Sequence, residues 1–240
     1  MVWFLLLFAA GASAAEPPSD IARRMAVREG ASEADRANYT YRQTVSVMEY
    51  GERNRLGGEY REVREVIFSP QGERTEQMVG RPTNTLRNLQ MTEEDFADVR
   101  NLQPMLLTEE KLRLYEFVPK GEETVEGIVC WVLQVRPRQI LYGMRLFEGS
   151  VWVDQRDFSI IRSEGRAVPQ IRSNRPGKEN LFPSFTTVRA KVGGYWFPSV
   201  TQGDDTLAFS TGPVRMRLTI RYRDYKRFAA ESKVTPDADK

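Results

Sequence analysis

The sequence predicts a mainly β protein, an antiparallel sheet curled into a half-open barrel, with one helix before it and a short helical lid inserted after the first strands. Three observations carry this. Most segments longer than eight residues alternate apolar and polar positions, as strands with one buried face do. Glycine-, proline- or aspartate-containing turns separate them. The alternation breaks to a helical spacing in only two places, near the amino terminus and between Pro82 and Glu110. About nine or ten strands result, and a twisted sheet of that size curls to cover its own apolar face.

The amino-terminal stretch Met1 to Ala10 is almost wholly apolar and is followed by Gly11-Ala12-Ser13-Ala14-Ala15. That is the form of a secretory signal with a small-residue cleavage site, and it is too short for a transmembrane helix. The expected division is residues 1–15 as signal peptide, 16–228 as a single folded domain and 229–240 as a polar tail. Export to the periplasm follows.

Several function classes are excluded or disfavoured by composition. The 240 residues contain no histidine, which removes the commonest general base, the usual triads and most zinc sites. A net charge of +2 gives no basis for binding nucleic acid. The single cysteine, Cys130, has no partner for a disulfide within the chain and alternates with Ile128 and Val132, the pattern of a buried small residue. No cofactor or metal is expected, and the protein is expected to be a monomer.

In chain order, Ser19 or Asp20 caps a helix through Ile21, Met25 and Ala26 that resumes beyond Gly30, packing a narrow stripe on the sheet and leaving Arg23, Arg24 and Arg28 in water. Tyr39 to Tyr50 and Tyr60 to Ser69 alternate as strands, the first with Tyr39, Tyr41, Val45 and Val47 on one face. Thr92 followed by Glu93, Glu94 and Asp95 marks a helix start in which the acidic residues face solvent, and Phe96, Val99 and Leu102 recur at helical spacing behind it. A second start lies at Thr108-Glu109-Glu110.

Strands resume at Tyr115. Glu126-Gly127 reads as a hairpin turn, after which Val129, Trp131, Leu133 and Val135 share a face. Met144 to Val153 and Phe158 to Val168 form the central hairpin, with Phe147, Gly149, Val151 and Val153 placed beside Ala167, Gly165, Ser163 and Ile161. Two glycines on that face predict close approach by another group. Leu181 to Val192 and Tyr195 to Gln202 pair around Gly193-Gly194. Val214, Met216, Leu218, Ile220 and Tyr222 alternate with Arg215, Arg217, Thr219, Arg221 and Arg223 in the last strand, whose arginines are expected to meet carboxylates on a neighbour.

Taken together, Trp131 to Arg136, Gly149 to Asp154 with Ile161-Arg162, and Gly194-Tyr195-Trp196-Phe197-Pro198 resemble the outer-membrane lipoprotein-sorting (LolA-like) proteins. The branch with Asn38 to Gln43, Glu59 to Glu65 and Asp224 to Phe228 motifs is the most similar. The resemblance implies an incomplete β-barrel with a helical lid over an apolar cavity that takes acyl chains of a lipid or acylated lipoprotein. Candidate lining residues are Val129, Trp131, Leu133, Phe147, Val151 and Val153, with Phe96, Val99 and Leu102 from the lid. The alternative is a non-enzymatic envelope sensor that meets membrane-bound partners through Arg215 to Arg223 and the loop Gln170 to Lys178. An enzyme is disfavoured, since the carboxylate pairs Asp154/Asp157 and Asp204/Asp205 both fall where turns are expected.

Overall fold

The computed structural model describes residues 16–68, 73–101, 107–170, 179 and 181–228. Its elements are α1 (Ile21–Arg36), β1 (Tyr39–Tyr50), β2 (Leu56–Phe68), β3 (Arg74–Met78), β4 (Thr83–Asn84), α2 (Glu93–Asn101), α3 (Glu109–Leu112), β5 (Tyr115–Val125), β6 (Ile128–Pro137), β7 (Leu146–Asp154), β8 (Ile160–Val168), β9 (Phe185–Val192), β10 (Tyr195–Phe209) and β11 (Gly212–Arg227). All the strands join one antiparallel sheet in the order β3-β2-β1-β11-β10-β9-β8-β7-β6-β5, with β4 paired to β2. The path does not close. One long-range pairing, β1 with β11, brings the two ends of the chain together and leaves β3 and β5 as the free edges.

The sheet curls, and α2 demonstrates it. Its Arg100 carbonyl accepts a hydrogen bond from Arg74 on β3 at 3.0 Å, its Phe96 ring lies 5.9 Å from Tyr60 on β2, and its Asp98 is ion-paired with Arg145, just before β7. In a flat sheet β2 and β7, six strand spacings apart, would be separated by about 29 Å. A nine-residue helix is only about 14 Å long. The expected half-open barrel with a helix across its concave side is therefore the architecture found.

Local chemistry explains the elements. Thr92 and Asp95 form a reciprocal cap at the start of α2, the Asp95 carboxylate accepting from the Thr92 backbone N–H at 2.8 Å and the Thr92 hydroxyl accepting from the Asp95 backbone N–H at 3.3 Å. Asp95 is buried by this role, so only Glu93 and Glu94 of the acidic triplet face water. Glu126 and Gly127, with φ of 50° and 80°, make the two-residue turn between β5 and β6. Helix α1 runs past Gly30 without interruption.

Helix α1 packs Ile21, Met25 and Ala26 on the sheet, and buried charge sets its position. Glu29 and Arg189 on β9 form an ion pair at 2.8 Å in which both side chains are almost wholly buried. Arg28, expected in water, instead donates to Ser159 and to the Gly194 carbonyl and lies 4.3 Å from the Tyr195 ring centre. Its guanidinium thereby ties the helix to two hairpin turns at one rim of the sheet.

The central hairpin holds Phe147 opposite Ala167, Gly149 opposite Gly165 and Val151 opposite Ser163, as expected. A bulge after Trp152 then sets Val153 against Ile160 rather than Ile161, and β8 begins at Ile160. What approaches the two glycines is the neighbouring strand and the ring of Phe147: a Cβ on Gly149 or Gly165 would fall within 2.7 Å of that ring. The glycines make room for Phe147, which is fully buried.

Two strands extend further than the alternation indicates. Asp204 and Asp205 lie within β10, not in a turn, because β10 and β11 stay paired as far as Phe209 opposite Gly212. Conversely, β9 starts at Phe185, and Leu181 to Ser184 is irregular. The expected contact loop at Gln170 to Lys178 lies, beyond Gln170, outside the described residues, as do the signal segment and the tail.

Candidate functional site: an apolar cavity under a pinned loop

The covered face contains a cavity of about 230 Å³. Its floor is Val47 of β1, Met216 and Leu218 of β11 and Leu207 and Phe209 of β10. Leu181, Phe182 and Pro183 form one wall, and Val99 and Asp95 of α2 another. The roof is the segment from Asn88 to Thr92, which contributes Leu89 and Met91. Alternation dictates the floor: Val47 pairs with Leu218, and Gly203, the partner of Leu218 on its other side, brings no side chain to that position. Asn88, Gln90, Glu179 and Thr211 give the lining a polar portion.

A single buried carboxylate organises the roof. Glu49 occupies a core-facing position at the end of β1 and is 0% exposed. Its oxygens accept backbone N–H groups from Arg87 at 2.8 Å, Asn88 at 2.9 Å and Leu89 at 2.9 Å. Three successive amides converging on one carboxylate satisfy donors that the irregular segment would otherwise leave unpaired, and such charge-assisted bonds are the strong kind. The roof is therefore tied to the sheet by one side chain.

Beside the cavity the covered face is ionic. Glu62 of β2 is buried, accepts from the Tyr60 hydroxyl at 2.8 Å and holds Arg64 through two bonds of 2.9 Å. Arg64 continues to Glu76 at 2.6 Å, and Arg74 also reaches Glu76, at 2.8 Å. Burial and the Glu62 carboxylate raise the Tyr60 hydroxyl well above the ordinary tyrosine range, so it remains a donor. On α2 itself, burial pushes the Asp98 carboxyl up to about 6, although Arg145 opposes the shift.

The residues expected to line a cavity are distributed as follows. Val99 lines it. Leu133, Phe147, Val151 and Val153 are fully buried in the continuous core beside it. Trp131 is buried and stacked on Phe158, ring centres 5.7 Å apart. Phe96 packs between Tyr60 and Arg64. Val129 is 45% exposed at the start of β6, and Leu102 lies outside the described residues. The sequence reading passed over Glu49 and Gln43, which share the alternation of Tyr41, Val45 and Val47; a carboxylate at a core-facing position was the available signal.

The carboxylate pairs are occupied structurally. Asp154 and Asp157 accept the backbone N–H groups of Arg156 and Ser159, each at 2.9 Å. Asp204 takes Arg215 and Arg217 at 2.9 and 2.8 Å, the cross-strand pairing expected of the arginine row, while Asp205 accepts from Ser184 and Thr206. Cys130 is buried, and burial pushes its thiol up to about 12, which leaves no reactive thiolate. No helix among the described residues is long and apolar enough to cross a membrane.

No protein-family model and no curated protein matches the chain. Its neighbours among solved structures include a DUF1329 family protein from Desulfovibrio piger, 13% identical, covering 90% of this chain and 96% of that one with a TM-score of 0.42. They also include a putative outer-membrane lipoprotein-sorting protein domain from Vibrio parahaemolyticus, 14% identical over 88% and 95% at a TM-score of 0.37. A LolA superfamily protein from Nitrosomonas europaea is 14% identical over 87% and 94%, with a TM-score of 0.36. The neighbours are thus of the kind the sequence resemblance named; at these scores they bear no weight on function, and the fold stands on its own strand pairing.

Proposed function

We propose that the protein is a non-catalytic periplasmic binder that houses an acyl chain, from a lipid or an acylated lipoprotein, in the cavity beneath the roof at Asn88 to Thr92. The observation that carries this reading is the cavity itself: an apolar floor of Val47, Leu207, Met216 and Leu218 under a roof held by Glu49. At about 230 Å³ it lies just below the usual range of small-molecule sites, about 300–1,000 Å³. A chain of several methylenes entering it gains about 0.8 kcal/mol for each CH₂ taken from water. The polar portion at Asn88, Gln90, Glu179 and Thr211 suits the more polar end of such a ligand.

The test is uptake of a fluorescent fatty acid by the purified mature protein. Met216→Trp fills the floor and should weaken uptake at least about tenfold while the far-ultraviolet circular dichroism stays unchanged, whereas Arg223→Gln, on the outer face, should not matter. Uptake insensitive to Met216→Trp would remove the cavity from the account. The second reading, an envelope interaction module, draws on Arg221 and Arg223, which are exposed on the outer face of β11, next to Arg42, which is paired with Asp224 at 3.9 Å.

A further inference from the structure

The connection between β6 and β7 carries a feature the core does not use. Ile140, Leu141 and Tyr142 are 40%, 55% and 107% exposed, the one run of three consecutive exposed large apolar residues among those described. The run is not slack chain. The Met144 N–H closes a turn onto the Leu141 carbonyl at 3.0 Å, and Gly143 supplies the positive φ of 78° that the turn needs, which puts Tyr142 at the outer corner. Below the tip, the Arg138 N–H donates to the Leu114 carbonyl at 2.8 Å, and Arg145 donates to the Pro169 carbonyl at 3.2 Å and pairs with Asp98. A braced base presents an apolar point to solvent.

The chain on either side of that point carries only basic charge. No Asp or Glu occurs from Gly127 through Phe147, and exposed Arg136 and Arg138 flank the tip, with exposed Arg113 beside the Leu114 anchor. Carboxylates stand further back: Glu116 on β5 is opposite Arg136, Glu148 on β7 borders Arg136 on the outer face, Asp98 and Glu94 of α2 lie by Arg145, and Glu109 and Glu110 begin α3. A convex tip of three residues is too small for a protein interface, which takes about 800 Å² from each partner. It fits an interface that yields around it: apolar and tyrosine side chains enter the acyl boundary while arginines meet headgroup phosphates. Strand pairing also places this loop at the rim of the sheet that holds the β10–β11 turn, where Phe209 and Thr211 line the cavity.

We propose that the Ile140-Leu141-Tyr142 loop, with Arg136 and Arg138, docks the protein on an anionic phospholipid bilayer. The docking uses the loop alone and does not depend on what fills the cavity. The experiment is flotation of the mature protein with vesicles of phosphatidylethanolamine and phosphatidylglycerol, and with vesicles of phosphatidylcholine. The wild type should float with the anionic vesicles and lose most of that binding on phosphatidylcholine or in high salt. Leu141→Ser with Tyr142→Ser, and separately Arg136→Gln with Arg138→Gln, should each lower anionic binding about tenfold or more. All these side chains are at the surface, so circular dichroism and fatty-acid uptake in solution should be unchanged. Absence of flotation, equal flotation on both vesicle types, variants that float like wild type, or lipid-free self-association abolished by the loop variant would each overturn the proposal. Loss of fatty-acid uptake with vesicle docking intact would count against the cavity reading only.

Discussion

Between β6 and β8 the covered face is filled by Leu133, Val135, Phe147, Val151, Val153 and Ile160, all fully buried and all apolar. Between β3 and β1 the same face carries Gln43, Glu62, Arg64, Arg74 and Glu76, joined by hydrogen bonds and ion pairs, and Glu49, bonded to the roof. One half of the curled sheet is closed by packing, and the other by packing of Tyr41, Val45, Val47, Tyr60 and Val66 together with directed polar bonds. Packing is non-directional and tolerates no gap, whereas a polar network holds a loop or helix at a fixed place and leaves space next to it. The cavity lies where the two regimes meet, with a floor of apolar side chains and a roof and one wall placed by Glu49 and by the cap at Thr92 and Asp95.

This contrast can be broken experimentally. The largest effects belong to fully buried groups. Phe147→Ala should cost about 3–5 kcal/mol in denaturant unfolding, because no neighbour can fill the space over Gly149 and Gly165. Glu29→Ala should cost a similar amount, about 3–5 kcal/mol, by leaving Arg189 without its carboxylate. The two differ in rescue. Glu29→Leu combined with Arg189→Met should recover most of the loss, since a buried ion pair exchanged for apolar residues is often neutral. If the double variant is as unstable as the single one, the ionic contacts are more than orienting devices.

An intermediate effect is expected from pH. The folded-state carboxyl of Asp98, at about 6, lies above its ordinary 3.8. The native protein then binds more protons than the unfolded chain between these values, so stability falls as pH rises from about 4 through about 6. Measured against Asp98→Asn, which lacks the titration, wild type should lose up to roughly 3 kcal/mol across that window. A difference that is flat or of opposite sign would show that Arg145 outweighs burial. A smaller and more local effect is predicted for Glu49→Ala, about 1–3 kcal/mol, seen as faster hydrogen exchange at Arg87, Asn88 and Leu89 with little change in β6 to β8. Smallest of all, Arg217→Ala should leave the denaturant midpoint nearly unchanged, its pairing with Asp204 being exposed and screened by solvent.

The dry half was the legible half. Period-two alternation named the faces of β6, β7, β8 and β11, the turn residues named their hairpins, and the paired glycines announced close approach, because each of these signals is local. The ionic half was legible only as anomaly. Gln43 and Glu49 sit in phase with Tyr41, Val45 and Val47, and Glu62 and Arg64 in phase with Tyr60 and Val66, so alternation is consistent with their burial while their chemistry suggests the opposite environment. Glu62 meets Tyr60 and Arg64 two residues away, but the partners that tie the strands to other elements are 12 to 40 residues away, as with Arg64 and Glu76 or Glu49 and Leu89, and no short-range pattern encodes such pairs. The cavity depends on those pairs, which is why its floor was recognisable as a strand face and its roof was not.

The most direct test of the central claim is to isolate the mature protein from the envelope of its host, extract it with organic solvent and look for co-purified lipid by mass spectrometry, with Met216→Trp purified in parallel. The account predicts an acylated species in near-stoichiometric amount from wild type and its loss from the variant. Wild type free of lipid that also fails to take up added fatty acid, or a variant that retains the same lipid, would contradict it.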